Sequence, residues 1–212
     1  MYKGFTLAEV LITLGVIGVV SAVTMPALIQ NHQKQTTVNR LKKSYSELAQ
    51  AFKMAEADIG EVKYWNLDAP SGEFAEKYLV PYLKNTEPVS TVKLNDKIQY
   101  KFLDGKSAKG MGWEAGKAIK LSNGTIVFID GWSPGTNSRR SIYVDINGFQ
   151  KPNVFGKDLF TFQIKNNSFF TVYSSDKSRE YLTSEETHTC NKNSSEYAGI
   201  SCAALIMQDG WM

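Results

Sequence analysis

Few residues in this chain have the type and spacing for chemistry. Asp145-Ile146-Asn147-Gly148, Pro152-Asn153 and Gly156-Lys157-Asp158 bring carboxylate and amide oxygens together in one short stretch. Hard oxygen donors of this kind suit Ca2+, and Asp145, Asn147 and Asp158 are the candidate ligands. The spacing is not that of an EF-hand loop, because Phe149 would fill the fifth position and the closing glutamate is missing. Asn-Gly and Pro-Asn are also plain turn formers, so a structural loop and a metal site both remain open. Cys190 and Cys202 form a second pair, twelve positions apart. In an oxidising compartment they would close a small disulfide loop. Zinc is the poorer reading, since there is no second cysteine pair and His188 is the one nearby imidazole.

Nothing organises the remaining polar groups into a catalytic set. There is no G-x-S-x-G, no H-E-x-x-H, no Walker sequence and no G-x-G-x-x-G. His32 follows an apolar stretch and His188 lies in a polar loop, so both read as bystanders. Arg139-Arg140 reads as a solvated loop pair. No enzymatic activity is expected, and no cofactor beyond the possible Ca2+.

The elements that carry these residues follow from hydrophobic period. Phe5 to Ile29 is almost wholly apolar or small. As a helix it would rise about 37 Å, enough to cross a hydrocarbon layer of about 30 Å. Glu9 interrupts this run with a carboxyl group, which in a membrane helix marks a functional site and calls for a partner. Pro26 removes a backbone donor and predicts a kink or a loosened turn. A secretory signal peptide fits poorly, since only Met1 to Gly4 precede the run and no A-x-A-like site closes it. Beyond it, Val38, Leu41, Tyr45, Leu48 and Phe52 step by three and four, one apolar stripe of a helix predicted to stop at Gly60. A second short helix is predicted between Ser71 and Leu83.

After Pro88 the period changes to two. Strands are predicted over Ile98–Leu103, Ala118–Leu121, Thr125–Ile129, Ser141–Val144, Leu159–Ile164 and Phe169–Tyr173. Ser122-Asn123-Gly124 and Lys165-Asn166-Asn167-Ser168 are turns. The stretch from Cys202 to Met207 is a final strand or helix. The fold class is therefore α+β: a long N-terminal helix and an antiparallel sheet. The chain has 212 residues, a net charge of +3 and 42% hydrophobic residues, which suit one domain with an appendage. That mild charge argues against a nucleic-acid partner. The basic cluster from Lys34 to Lys43 reads as the solvated face of a helix leaving a membrane.

The segment Lys3-Gly4-Phe5-Thr6-Leu7-Ala8-Glu9-Val10-Leu11-Ile12 resembles the cleavage and methylation motif of type IV prepilins and type II secretion pseudopilins. The resemblance implies a pilin-like fold and cleavage after Gly4 by a prepilin peptidase. It implies N-methylation of Phe5 and a pairing of Glu9 with the Phe5 amine of an adjacent subunit. Pro26 falls where many pilins carry a helix-breaking proline. The implied organisation is a leader (1–4), an assembly helix in the bilayer (5–29), its extramembrane half (30–60) and a head (61–212). The implied partners are the peptidase, other pilin-like subunits, the inner-membrane assembly machinery and the lipid bilayer. The implied function is that of a structural subunit of a pilus-like or secretion fibre. A tip-located minor pilin binding DNA or a surface is the alternative. Flanking charges, counted alone, favour an N-terminus outside, whereas the resemblance places it in the cytoplasm and the head beyond the inner membrane. The cysteine loop resembles the disulfide-bounded C-terminal regions of pilins, and some major pseudopilins bind calcium in a loop of the head.

Overall fold

The computed structural model describes residues 4, 6–89, 98–109, 116–131, 135–136, 138–165 and 168–210. Two compact units divide at Thr36/Thr37. The first is the N-terminal part of helix α1, which runs over Leu7–Ile59. Apolar side chains from Leu7 to Ile29 stand in the open: Leu7 is 79% and Val23 72% exposed. The helix continues through Pro26, which has no N–H to offer the carbonyl of Ala22. Thr13 and Thr24 return their hydroxyls to the carbonyls of Val10 and Val20 at 3.0 and 2.9 Å, so neither adds a free polar group to the apolar surface.

The second unit begins with the rest of α1, whose stripe behaves as its spacing predicts. Val38, Leu41, Leu48 and Phe52 are buried, with Ser44, Ala51 and Ala55 beside them. Gly60, at φ 96°, donates its N–H to Glu56 and ends the helix in a left-handed residue that any Cβ would disfavour. A 3-10 turn at Val62–Tyr64, helix α2 at Ser71–Tyr78 and a further 3-10 turn at Val80–Tyr82 follow.

One six-stranded sheet fills the head. Its strands are β1 (Glu87–Val89), β2 (Lys117–Lys120), β3 (Ile126–Ile129), β4 (Arg139–Asp145), β5 (Leu159–Lys165) and β6 (Ser168–Val172), in the order β1-β2-β3-β4-β5-β6. Every neighbouring pair is antiparallel and the strand order follows the chain order, so the sheet is a meander. The Ser122-Asn123-Gly124 turn joins β2 to β3 as expected.

Both faces of the sheet are covered, because residues two apart share a face. One face offers Ile119, Val127, Ile129, Ile142, Val144, Phe162 and Ile164 to the α1 stripe, α2 and the last helix. Phe52 packs there against Phe170, Trp65 and Phe74, with ring centroids 5.2 to 6.4 Å apart. The other face offers Ala118, Ile126, Phe128, Tyr143 and Leu159 to Ile98, Tyr100, Phe102, Phe155 and Ile200.

The strand expected over Ile98–Leu103 is not one. Ile98, Tyr100 and Phe102 are buried in alternation, as in a strand. The backbone is nevertheless shared out: Lys101 donates to Asn153, Leu103 to Ala198 and Phe102 to Lys106. Only isolated bridges result. The C-terminal stretch is a helix. Helix α3 (Arg179–Thr183) precedes a loop, and α4 (Cys202–Asp209) closes the head against β5.

Candidate functional site: the N-terminal segment and the polar groups of the head

Thr6 and Glu9 bracket the first turn of α1. Thr6 donates its N–H to Glu9 Oε2 at 2.9 Å and its hydroxyl to the same oxygen at 2.8 Å. Glu9 N–H lies 3.3 Å from Thr6 Oγ1. This is a capping box, in which residues at the helix start satisfy each other's otherwise orphaned donors. The T-x-x-E spacing is visible in the sequence and gives Glu9 a local role alongside the expected one. Glu9 Oε1 has no hydrogen-bond partner among the described residues, so one oxygen stays open to an outside donor. Gly4 is exposed, and a Cβ placed there would meet nothing within 4 Å. Phe5, the expected methylation position, and Lys3 lie outside the described residues.

The described residues include one helix long and apolar enough to cross a membrane, with none of its most apolar window buried. A soluble core helix would hide that surface. About 25 cal/mol per Å2 of apolar area favours covering it, and nothing in this unit does so.

In the head, the structure brings Asp145, Asn147 and Asp158 together. Asn147 donates its backbone N–H to Asp145 Oδ1 at 3.1 Å and its amide to Asp158 Oδ2 at 3.2 Å. The chain itself engages these carboxylates: Tyr100 hydroxyl reaches Asp145 Oδ2 at 2.7 Å, and the N–H groups of Asn153 and Val154 reach Asp158 at 2.7 Å each. Burial pushes the Asp145 carboxyl up to about 8, with the Asp158 charge adding to it and the Tyr100 hydrogen bond opposing it. Burial also raises Asp158, against the pull of the Val154 and Asn153 N–H groups. The oxygens Asn147 Oδ1 and Asn153 Oδ1 are buried without a donor. Tyr100, forty-five positions from Asp145, is the member of this cluster that no local spacing could announce.

Cys190 and Cys202 are bonded as a disulfide. Cys202 sits against Gly156, where a Cβ would lie 2.5 Å from the sulfur, and Gly156 is at φ 82°. Both close approach and backbone sign therefore require glycine there. His188 is half-buried, stacked on Tyr197 at 4.7 Å, with Nδ1 2.8 Å from Thr187 hydroxyl. Burial lowers its pKa, and it reads as packing. His32 is exposed on α1.

The Arg139-Arg140 pair corrects the sequence reading. Arg139 is exposed, but Arg140 is almost fully buried. Its guanidinium donates to the carbonyl of Asp130 at 2.6 Å and to the carbonyl of Ala69, over the Phe74 ring. Arginine tolerates this because its planar fork can satisfy two carbonyls while stacking on an aromatic face. It ties the segment before α2 to the sheet.

No curated protein and no solved structure matches the chain. Residues 1–25 match the prokaryotic N-terminal methylation motif, which marks a pilin-like precursor. Residues 27–212, nearly the whole of the rest, match a family of unknown function, DUF6613. An apolar helix led by that motif and followed by an α+β head with a six-stranded antiparallel sheet is the pilin-like plan, and the chain belongs to the DUF6613 family with a prepilin-type N-terminus.

Proposed function

We propose that this protein is a structural subunit of a type IV pilus-like or type II secretion fibre. It is held in the inner membrane by its N-terminal helix, with the head outside the cytoplasm, until it is polymerised. Prepilin peptidase cuts the Gly4–Phe5 bond and methylates Phe5. The observation that carries this reading is the pairing of the methylation motif with a helix whose apolar surface is wholly uncovered. Lipid covers that surface first, and the helices of other copies replace lipid in the fibre. Glu9 Oε1 then accepts the Phe5 amine of the next subunit and sets the axial stagger, as one buried polar residue fixes register in a coiled coil. The missing hydrogen bond at Pro26 lowers the cost of unwinding that turn during extraction.

The role is structural rather than catalytic. A tip subunit that grips DNA would need a basic stripe tracking the backbone, and the observations favour no such second reading. Calcium held by Asp145, Asn147 and Asp158 is a separate proposal, supported by the undonated oxygens of Asn147 and Asn153. A rise in the head's melting temperature with Ca2+, and not with Mg2+, would support it; equal curves would end it.

The test of the main reading is intact-mass and N-terminal analysis of the chain from hosts with and without an active prepilin peptidase. The expected product lacks Met1 to Gly4 and carries one methyl on Phe5. A chain still beginning at Met1 in the competent host would overturn the reading.

A further inference from the structure

We propose that the cleft lined by Arg40 and Lys43 receives a carboxylate of a second copy of this chain, supplied by the C-terminal loop that carries Glu185, Glu186 and Glu196. The proposal rests on the fibre reading and adds to it a specific contact between heads.

The cleft has a volume of about 280 Å3. Arg40, Lys43, Ser44, Asn123, Thr125 and Gln150 are among its lining residues. Two cations, hydroxyls and side-chain amides together form a donor-rich wall suited to an anion. Arginine in particular grips a carboxylate through two parallel N–H bonds. Among the described residues, none of the ion pairs involves Arg40, Lys42 or Lys43. Glu47, one turn beyond Lys43, accepts from the Asn123 amide at 3.2 Å instead. Between Gln30 and Ser46 the chain has four basic residues and no acid.

The opposite charge stands elsewhere on the same chain. From Asp176 to Asp209 there are six acids and three bases. Glu185, Glu186 and Glu196 are exposed and absent from every ion pair among the described residues. Their loop is held in shape: Ser195 donates to the Glu185 carbonyl and His188 to that of Glu196, each at 2.9 Å, and the Cys190–Cys202 bond staples it. A fixed loop presents a carboxylate with little ordering entropy left to lose.

A patch that complements a different patch on the same molecule makes a head-to-tail contact. Such contacts propagate into helical filaments unless the rotation closes a ring. That is the symmetry a fibre subunit needs, and it favours a copy of this chain over an unrelated acidic partner. Anionic lipid is the other source of a matching group, and helix length argues against it. Arg40 lies eleven positions beyond Ile29. That is roughly 16 Å of helix rise, whereas the headgroup layer adds only about 5–7 Å on each side of the hydrocarbon.

The test uses the full chain purified from a host that contains prepilin peptidase. Light and 15N-labelled copies are mixed in detergent micelles and treated with a carbodiimide, which joins an amine to a carboxylate with loss of water. The expected product is a mixed-isotope peptide pair linking Lys43 to Glu185 or Glu186. R40E, which keeps the Lys43 amine, should reduce its yield about tenfold, the loss of roughly one close charge pair. Combining R40E/K43E with E185K/E186K should restore a mixed link between the exchanged partners. Absence of mixed-isotope links, links within one copy only, or no recovery in the combined variant would overturn the proposal. So would an effect of R40E that appears only in phosphatidylglycerol nanodiscs and ignores E185K/E186K, which would assign the cleft to lipid. Each variant's melting temperature confirms that the head is folded. The same digest reads the N-terminus: a chain starting at methylated Phe5 without the link defeats this inference alone, whereas a chain starting at Met1 defeats the fibre reading.

Discussion

Helix α1 meets two opposite problems along its length. Between Leu7 and Ile29 the residues are almost all apolar, and their side chains are exposed all round. Between Val38 and Ala55 apolar residues return every three or four positions, and those positions are buried, Leu41 and Phe52 completely. A helix apolar on every side is made for an apolar medium, and a helix with one stripe is made for one neighbour. In the second stretch the chain supplies that neighbour itself, as one face of the sheet. In the first, the covering matter has to come from outside the chain. The same element thus carries one apolar surface covered by folding and another that folding leaves exposed.

The strongest way to break this comparison is to remove one large apolar side chain from each stretch. Phe52→Ala takes a ring away from Trp65, Phe74 and Phe170. It should destabilise the head by about 3–5 kcal/mol. Val16→Ala, in the exposed stretch, should leave the head's melting unchanged. Thermal or urea unfolding of the two full-length variants in micelles, followed by near-ultraviolet circular dichroism, checks both. Equal losses would show that the exposed stretch is supported by the head after all.

Next in size is the disulfide. Closing a loop over a separation of twelve residues restricts the unfolded chain by about 3 kcal/mol. Cys190→Ser with Cys202→Ser should therefore lower head stability by about that much. Insertion of the N-terminal helix, measured by resistance to carbonate extraction, should stay the same. A double variant that melts with the wild type would mean that the hydrogen bonds of the loop alone hold α3 to α4.

How much of this was legible in the sequence depended on the range of the physics involved. The α1 stripe and the Ser122-Asn123-Gly124 hairpin are written in residues three or four apart, and both were readable. The alternation Ile98, Tyr100, Phe102 correctly announced three inward side chains, yet it could not say where the backbone bonds go. They go to Asn153 and Ala198, fifty or more positions away. Arg140 shows the same limit more sharply. A pair of arginines after Gly135 to Ser138 reads as solvated, and only folding reveals the Ala69 and Asp130 carbonyls that let one of them be buried. Asp145 and Asp158 were legible as an oxygen-rich loop, but the Tyr100 hydroxyl was not. The Thr6-x-x-Glu9 box is the reverse case: its spacing is fully local, and the more conspicuous question of a carboxylate in a membrane helix overshadowed it.

That box gives the smallest effect and separates two roles of one residue. Thr6→Ala deletes the hydroxyl that both caps Glu9 N–H and donates to Glu9 Oε2. Losing a threonine N-cap costs about 1 kcal/mol, so the amides of the first turn should exchange with solvent about fivefold faster. The Thr6→Ala head should melt as before, because no head residue contributes to the box. Glu9→Gln keeps an oxygen for Thr6 N–H but removes the charge offered to a neighbour's amine. It should leave first-turn exchange close to wild type and still abolish incorporation into fibres. The two variants thus divide capping from assembly: if Thr6→Ala stops incorporation as completely as Glu9→Gln does, the local cap orients the carboxylate for its partner, and the two roles are one.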